Sequence, residues 1–374
     1  MRIGINALYL LPGKVGGTES YLRQLLHWMP RIAPQHEFLL LANEECMDAG
    51  LATDSCVQLI PTKVRATSRP HRLLFEQFSL PGAVRRLGID VLFNPGFTAP
   101  ARCHCPMVTT FHDLQHKRHP EYFRVFDLPA WRLFLGIAAR SSQRILAISH
   151  TTAADFRRFY PGVNVTVDVT PLGAGDEYFA IGEERESTTE TEDVLLCVST
   201  LHPHKNLDRL VRAFCAWRQA SGASSTLVIA GMRGFYARQL DKVIEECDAG
   251  SFVRLTGWIS QEELYQLYRT ARAFIFPSLF EGFGIPPMEA LACGIPTAVS
   301  NVEPICSNVG DGALRFDALN EGAIAQAIGM LMQDEALRKD LRIRARKQAQ
   351  QFRWEGTARL TLASLEAAVQ QDTP

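Results

Sequence analysis

Short apolar strands alternate with amphipathic helices along this chain twice over, on either side of an acidic, Ser/Thr-rich stretch. That doubled alternation limits the fold more than any other feature. In the first run "MRIGINALYL", "EFLLLAN", "DVLFNPG", "PMVTTFHDL" and "RILAISH" read as strands, "GKVGGTESYLRQLLHWM" as a glycine loop opening a helix, and "PAWRLFLGIAARSS" as a further helix. The second run passes through "VLLCVST", "KNLDRLVRAFCAWRQ", "STLVIAG", "FYARQLDKVIEEC", "VRLTGW", "SQEELYQLYRTA" and "AFIFPS". Strands separated by helices predict parallel sheets covered on both faces. The expected class is α/β, with two doubly wound domains whose strand ends face a common cleft, where open α/β sheets bind ligands.

The length of 374 residues exceeds what one hydrophobic core usually serves. The interruption "GDEYFAIGEERESTTETED" has little periodic apolar content after Phe179 and reads as a linker. The expected division is therefore a first domain over 1–175, a linker over 176–193, and a second domain over 194–350. A closing amphipathic helix within 351–374 either caps the second domain or packs back on the first.

Lys plus Arg number 39 against 40 Asp plus Glu, so no whole-molecule field attracts nucleic acid or an acidic membrane, and any basic site is local. No apolar run is long enough to span a bilayer and no cleavage-type signal follows the first residues, which predicts a cytoplasmic protein. The nine cysteines are scattered, several within apolar runs, as buried reduced thiols would be. "CHCP" (Cys103, His104, Cys105) lacks the second ligand pair of a zinc site, so no metal is expected there.

The strand-end loops hold the chemistry. Gly13, Gly16 and Gly17 precede a helix, so backbone N–H groups can meet an anion at its N-terminus; the same glycines equally serve a plain turn. Neither the G-x-G-x-x-G fingerprint nor a Walker lysine is present, which disfavours NAD and P-loop readings. His112 follows a strand directly, whereas His116 and His119 fall in a basic loop and read as solvated. Lys205 lies before a helix that Asn206 or Asp208 could cap, a placement that suits phosphate.

In "FPSLFEGFGIPPMEALACGIP", Glu281 and Glu289 stand with seven residues between them, around a glycine turn that opens an apolar helix. Two carboxylates so placed can each accept hydrogen bonds from a vicinal diol, and Gly282 and Gly284 let backbone amides approach. With Lys205 these are the parts needed to hold a nucleotide-sugar.

The stretches "CVSTLHPHKNLDRLVRAF", "LVIAG", "VRLTGWISQEELYQLYRTARAFIFPSLFEGFGIPPMEALACGIPTAVSN" and "VGDGALRFD" resemble the second half of family 4 retaining glycosyltransferases. "GGTESYLRQLL", "DVLFNPGFTAP", "FHDLQHKRHPEYF", "AISHTTAADFRRFY" and "TPLGAGDEYF" resemble the first half, in the family's order. The resemblance implies the GT-B fold of two Rossmann-like domains, retention of anomeric configuration and no metal cofactor. It implies that Glu281 contacts the donor sugar, that Phe283 and Gly284 present amides beside it, and that Glu289 holds the ribose diol. It further implies that Lys205 binds the diphosphate, that Gly16 and Gly17 lie against the donor phosphates, and that His112 lines the sugar site.

This chain departs from the pattern where many members carry a Gly-Arg pair. Ser199 and Thr200 stand there, leaving Thr200 on the phosphate side and Arg233 or another arginine as a substitute cation. The family's acid before "VGDGA" is replaced by Ser307. Similarity to bacterial enzymes of surface polysaccharide synthesis implies GDP-mannose as donor, with UDP-sugars open and a sugar-nucleotide 2-epimerase as the alternative of the same fold. A glycan or lipid-linked acceptor is expected on the first domain. There "RATSRPHRLLFEQFSLPGAVRRLG" combines arginines with apolar residues, either for docking on anionic lipid or as a solvated basic helix face.

Overall fold

The computed structural model describes residues 1–14, 16–51, 56–187, 191–234 and 236–372. The chain divides into two compact units, Met1–Leu172 with Trp354–Pro374, and Gly173–Arg353. Each is a parallel sheet covered by helices.

The first sheet contains β1 (Arg2–Ala7), β2 (Glu37–Ala42), β3 (Val57–Pro61), β4 (Val91–Asn94), β5 (Met107–Phe111), β6 (Arg144–Ala147) and β7 (Thr166–Val169), in spatial order β3-β2-β1-β4-β5-β6-β7. The second contains β8 (Glu192–Val198), β9 (Thr226–Ala230), β10 (Val253–Gly257), β11 (Ala271–Phe276), β12 (Thr297–Ser300) and β13 (Leu314–Phe316), in order β10-β9-β8-β11-β12-β13. In both sheets the winding reverses beside the first strand, between β1 and β4 and between β8 and β11. Loops leaving such a point splay apart and open a crevice at the carboxyl ends of the strands.

Burial follows the residue pattern. The inner strands are largely apolar, as strands covered on both faces must be: β9 is "TLVIA" and buried from Leu227 to Ala230. On the helix Leu207–Ser221 the buried Leu207, Leu210, Val211, Phe214 and Trp217 recur at helical spacing and pack with Leu195, Cys197, Leu227 and Ile229 of the sheet. Each large side chain so buried contributes roughly 1.5–3 kcal/mol. Four strands, β3, β7, β12 and β13, were not expected from the sequence; each spans only three to five residues.

The segment read as a linker is instead largely a helix, Asp176–Ser187, while Thr188–Glu190 lie outside the described residues. Tyr178, Ile181, Gly182 and Arg185 form a buried stripe with i, i+3, i+4, i+7 spacing, which the high density of charge around it obscures. Arg185 donates to the carbonyls of Tyr268, Arg269 and Ala271, which satisfies the C-terminal end of the helix Gln261–Thr270. The closing helix, Trp354–Asp372, belongs to the first unit. Thr357 donates to the Pro171 carbonyl (2.6 Å), Ser364 to Asp168 (2.8 Å), and Trp354 lies against Tyr21.

A Cβ built on Gly182 would stand 2.3 Å from the Ala292 carbonyl oxygen, so the helix Asp176–Ser187 rests backbone to backbone on the helix Ile285–Ala292 that carries Glu289. Gly182→Ala should cost about 1–3 kcal/mol in urea unfolding. An unchanged midpoint would show that these helices do not approach so closely.

Candidate active site

In the second unit, the loops after β8 and β11 flank the point where the winding reverses. They are stitched together: the Leu279 amide donates to the His204 carbonyl (2.7 Å), the Ser278 hydroxyl donates to the same oxygen, and Asn206 donates its amide to the carbonyls of Pro277 (3.2 Å) and Ala318 (2.7 Å). Asn206 adopts the left-handed conformation (φ 59°), which asparagine tolerates better than most residues. It therefore joins the loops rather than capping the following helix through its side chain, and Asp208 accepts from Tyr236 instead. The result sets Lys205 Nζ 2.5 Å from Glu281 Oε1, both mostly shielded, with the ammonium over the Phe276 ring.

Glu289 has different company. Tyr268 donates a hydrogen bond to its carboxyl (2.9 Å), Tyr178 hydrogen-bonds to it too, and burial pushes its pKa up to about 7 against the pull of those two phenols. Between the acids, Gly284 takes φ +91° where the helix Ile285–Ala292 begins, a conformation open to glycine and strained for other residues. Phe283 is buried against Phe352, and its carbonyl accepts from Asn308 (2.8 Å). Ser307 donates to Glu303 (2.6 Å), so a carboxylate stands one turn before the position where the serine replaces the expected acid.

In the first unit, His112 is buried one residue beyond β5, edge-on to Tyr21 and against Phe97. Its Nε2 lies 2.7 Å from the Pro95 carbonyl, which can only accept. Nε2 therefore carries the proton, and burial lowers the pKa to about 4, so the ring is neutral and Nδ1 keeps a free lone pair. The loop holding Pro95 is itself constrained. Phe97 has φ 70°, Gly96 approaches the Tyr9 ring too closely for any Cβ, and Thr98 donates to Glu76 (2.8 Å). Glu76, whose pKa burial raises, also accepts from Asn6 (3.2 Å), which in turn donates to Asn94 (3.1 Å) at the end of β4. Gly16 takes φ +56° just before the helix Gly17–Ile32, with no atom within 4 Å of where a Cβ would point.

Two family models account for most of the chain: "Glycosyltransferase Family 4" over residues 15–174 and "Glycosyl transferases group 1" over 181–348. The chain belongs to glycosyltransferase family 4. This glycosyltransferase is 29% identical over 283 residues to O-antigen chain mannosyltransferase B of Escherichia coli, covering 73% of each chain. It is 25% identical over 237 residues to the Escherichia coli serotype-specific mannosyltransferase WbdA, where the match takes in 60% of this chain and only 29% of that longer protein. Its fold matches the sucrose-phosphate synthase of Thermosynechococcus elongatus at TM-score 0.80 and 18% identity, covering all of both chains. The two doubly wound units are those of the GT-B glycosyltransferases.

The structure of this glycosyltransferase brings Lys205 and Glu281 together as a direct pair, with Gly284 and Glu289 following on the same segment. Thr200 lies where the loop after β8 passes Gly231 and Gly234 at backbone contact. Arg233, in that neighbouring loop, forms an exposed ion pair with Asp241 (2.9 Å). His116, expected in solvent, is buried, and burial lowers its pKa to about 4. Sequence reasoning missed Tyr268 and Tyr178 on Glu289, and Pro95 and Glu76 behind His112. Nothing local signals these, because each partner lies at least 17 residues away along the chain.

The raised Glu289 pKa has a measurable sign. The unfolded carboxyl gives up its proton near 4.5 and the folded one near 7, so over that window the folded state binds more protons and stability falls as pH rises. Glu289→Gln should abolish that part of the decline, so the melting temperatures of parent and variant should diverge as pH is raised through the window. Parallel curves would show that Glu289 is not held in its protonated form.

Proposed function

We propose that this glycosyltransferase moves mannose from GDP-mannose, with retention of anomeric configuration and without a metal cofactor, to a glycan or lipid-linked acceptor in bacterial surface polysaccharide synthesis. The observation that carries the reading is the Lys205–Glu281 pair at the winding reversal of the second sheet. The names of the two mannosyltransferase relatives support the choice of sugar.

Breaking the bond between the sugar carbon and the diphosphate leaves positive charge on the ring and negative charge on the leaving oxygen. Lys205, beside the N-terminus of the helix Leu207–Ser221, would stabilise the latter. Glu281 would turn from the ammonium toward sugar hydroxyls and accept their hydrogen bonds rather than attack the sugar carbon. The acceptor hydroxyl would then attack from the leaving-group face and pass its proton to the departing phosphate. Glu289 would accept the ribose diol, and Phe283 and Gly284 would offer amides. Thr200, Gly16 and Gly17 would line the phosphates, and neutral His112 would offer Nδ1 to a sugar hydroxyl.

Among the described residues no helix is long and apolar enough to cross a membrane. The first unit nevertheless exposes Leu74, Phe78, Val125, Phe126 and Leu133 near the exposed Arg85, Arg86, Arg124 and Arg132. Arg69, stacked on Trp131 and 3.5 Å from Asp127, ties the helix Arg69–Phe78 to the segment bearing Phe126. We assign this patch to the anionic cytoplasmic face of the membrane, where a lipid-linked acceptor resides.

A thermal-shift screen of GDP, UDP, ADP and dTDP with their sugars should single out GDP, by about 2.7 kcal/mol at a hundredfold excess over the dissociation constant. Stabilisation by UDP alone would overturn the donor assignment. Lys205→Ala and Glu281→Ala should each lower kcat by about 100-fold or more. Parental turnover in Glu281→Ala would remove that residue from the reaction. Sugar release from the donor at full rate without any acceptor would favour the epimerase-type chemistry.

A further inference from the structure

Between the end of β4 at Asn94 and the start of β5 at Met107, the chain runs from the carboxyl end of the first sheet back to its amino end. Pro95, which His112 meets from beyond β5, marks the start of that crossing, while Cys103, His104 and Cys105 lie at its far end, at the opposite end of the first sheet from His112. The crossing is held at both borders of the tripeptide. Gln77 donates to the Ala99 carbonyl (3.0 Å) and accepts from the Ala101 amide (2.9 Å), and the Pro106 carbonyl accepts from the Leu92 amide (2.9 Å).

On this fixed backbone the two sulfurs and an imidazole nitrogen lie within 4.8 Å of one another, the only such group of three among the described residues. Cys103 Sγ and Cys105 Sγ are 3.7 Å apart. A disulfide needs about 2.05 Å. A tetrahedral zinc ion with bonds of about 2.3 Å to each thiolate holds two sulfurs about 3.8 Å apart, which this pair already matches. Cys105 is buried against the core of the unit and Cys103 half-buried, while His104 is exposed, so one side of the group is dry and the other open to solvent.

We propose that Cys103, His104 and Cys105 bind one zinc ion through two thiolates and one imidazole, with the fourth position taken by water. Binding releases the two thiol protons and changes no oxidation state. The spacing lacks the second ligand pair of a zinc finger, so the site is a three-donor clamp on the β4–β5 crossing and takes no part in the transfer chemistry. Its test reads metal binding directly and stands or falls independently of the proposed mannosyl transfer.

The full chain, reduced and freed of metal with a chelator, would be titrated with Co2+ as the spectroscopic stand-in. One equivalent should bring up thiolate-to-cobalt charge transfer and the visible bands of tetrahedral cobalt, and added Zn2+ should bleach both. Cys103→Ser or Cys105→Ser should abolish the bands, and His104→Ala should weaken binding at least tenfold. Cys247→Ser, which alters the unit-two thiol facing Cys215, should leave the titration unchanged. Absence of the bands, their survival in Cys103→Ser, or loss of both thiols to a disulfide in air without cobalt uptake would each overturn the proposal. If a serine variant fails to fold, His104→Ala, at an exposed position, decides on its own: unchanged cobalt affinity refutes the site.

Discussion

Lys205 and Glu281 are separated by 76 positions in sequence yet form one ion pair, and the reason is topological. β8 and β11 are neighbours whose following connections wind to opposite sides of the sheet, so the loops between them are pushed apart and cannot be filled by a crossing helix. A gap at strand ends, lined by backbone, is costly unless its polar groups are paired. Asn206, Ser278 and Leu279 therefore bond across it, and the two opposite charges close its mouth. On the proposed reading, phosphate and hydroxyls of the donor would engage the two members of this same pair.

The first unit solves the equivalent problem at β1 and β4 without an ion pair. Asn6, Asn94, Thr98 and Glu76 form a buried polar chain under the loop from Pro95 to Thr98, and that loop fixes the tautomer of His112. A network of this kind is stabilising only when its members find partners, and here the strain at Phe97 is held in place by Thr98 on one side and the His112 hydrogen bond on the other. The chemical consequence is a histidine that accepts hydrogen bonds and does not carry charge. That property depends on residues distributed over more than a hundred positions, from Asn6 to His112.

Most of the frame could be read from the sequence, because inner strands and their helices follow strong periodicities. The runs of β-branched and aliphatic residues mark β1, β2, β5, β8, β9 and β11 plainly, and the Glu281 to Glu289 spacing marks the loop between β11 and the helix Ile285–Ala292. What escaped was decided by partners distant in the chain. The acidic helix Asp176–Ser187 looks like a linker because its buried stripe includes a glycine and an arginine, which count as apolar neither by eye nor by scale. Their fit to Ala292 and to the end of another helix appears only once the chain is folded.

The two acids that dominate the sequence motif end up in unlike surroundings, and the difference suits a donor with two unlike diols. Glu281 faces a cation that a diphosphate would also seek, so on the proposed reading donor binding would exchange an internal ion pair for a lysine–phosphate contact and free the carboxylate for hydroxyls. Glu289 faces two phenols and sits in a drier setting that favours its protonated form up to about pH 7. A protonated carboxyl both donates and accepts, while an ionised one only accepts. On the proposed reading, a ribose diol at Glu289 would bring two donors and favour the ionised form, so nucleotide capture would be coupled to loss of a proton from this acid.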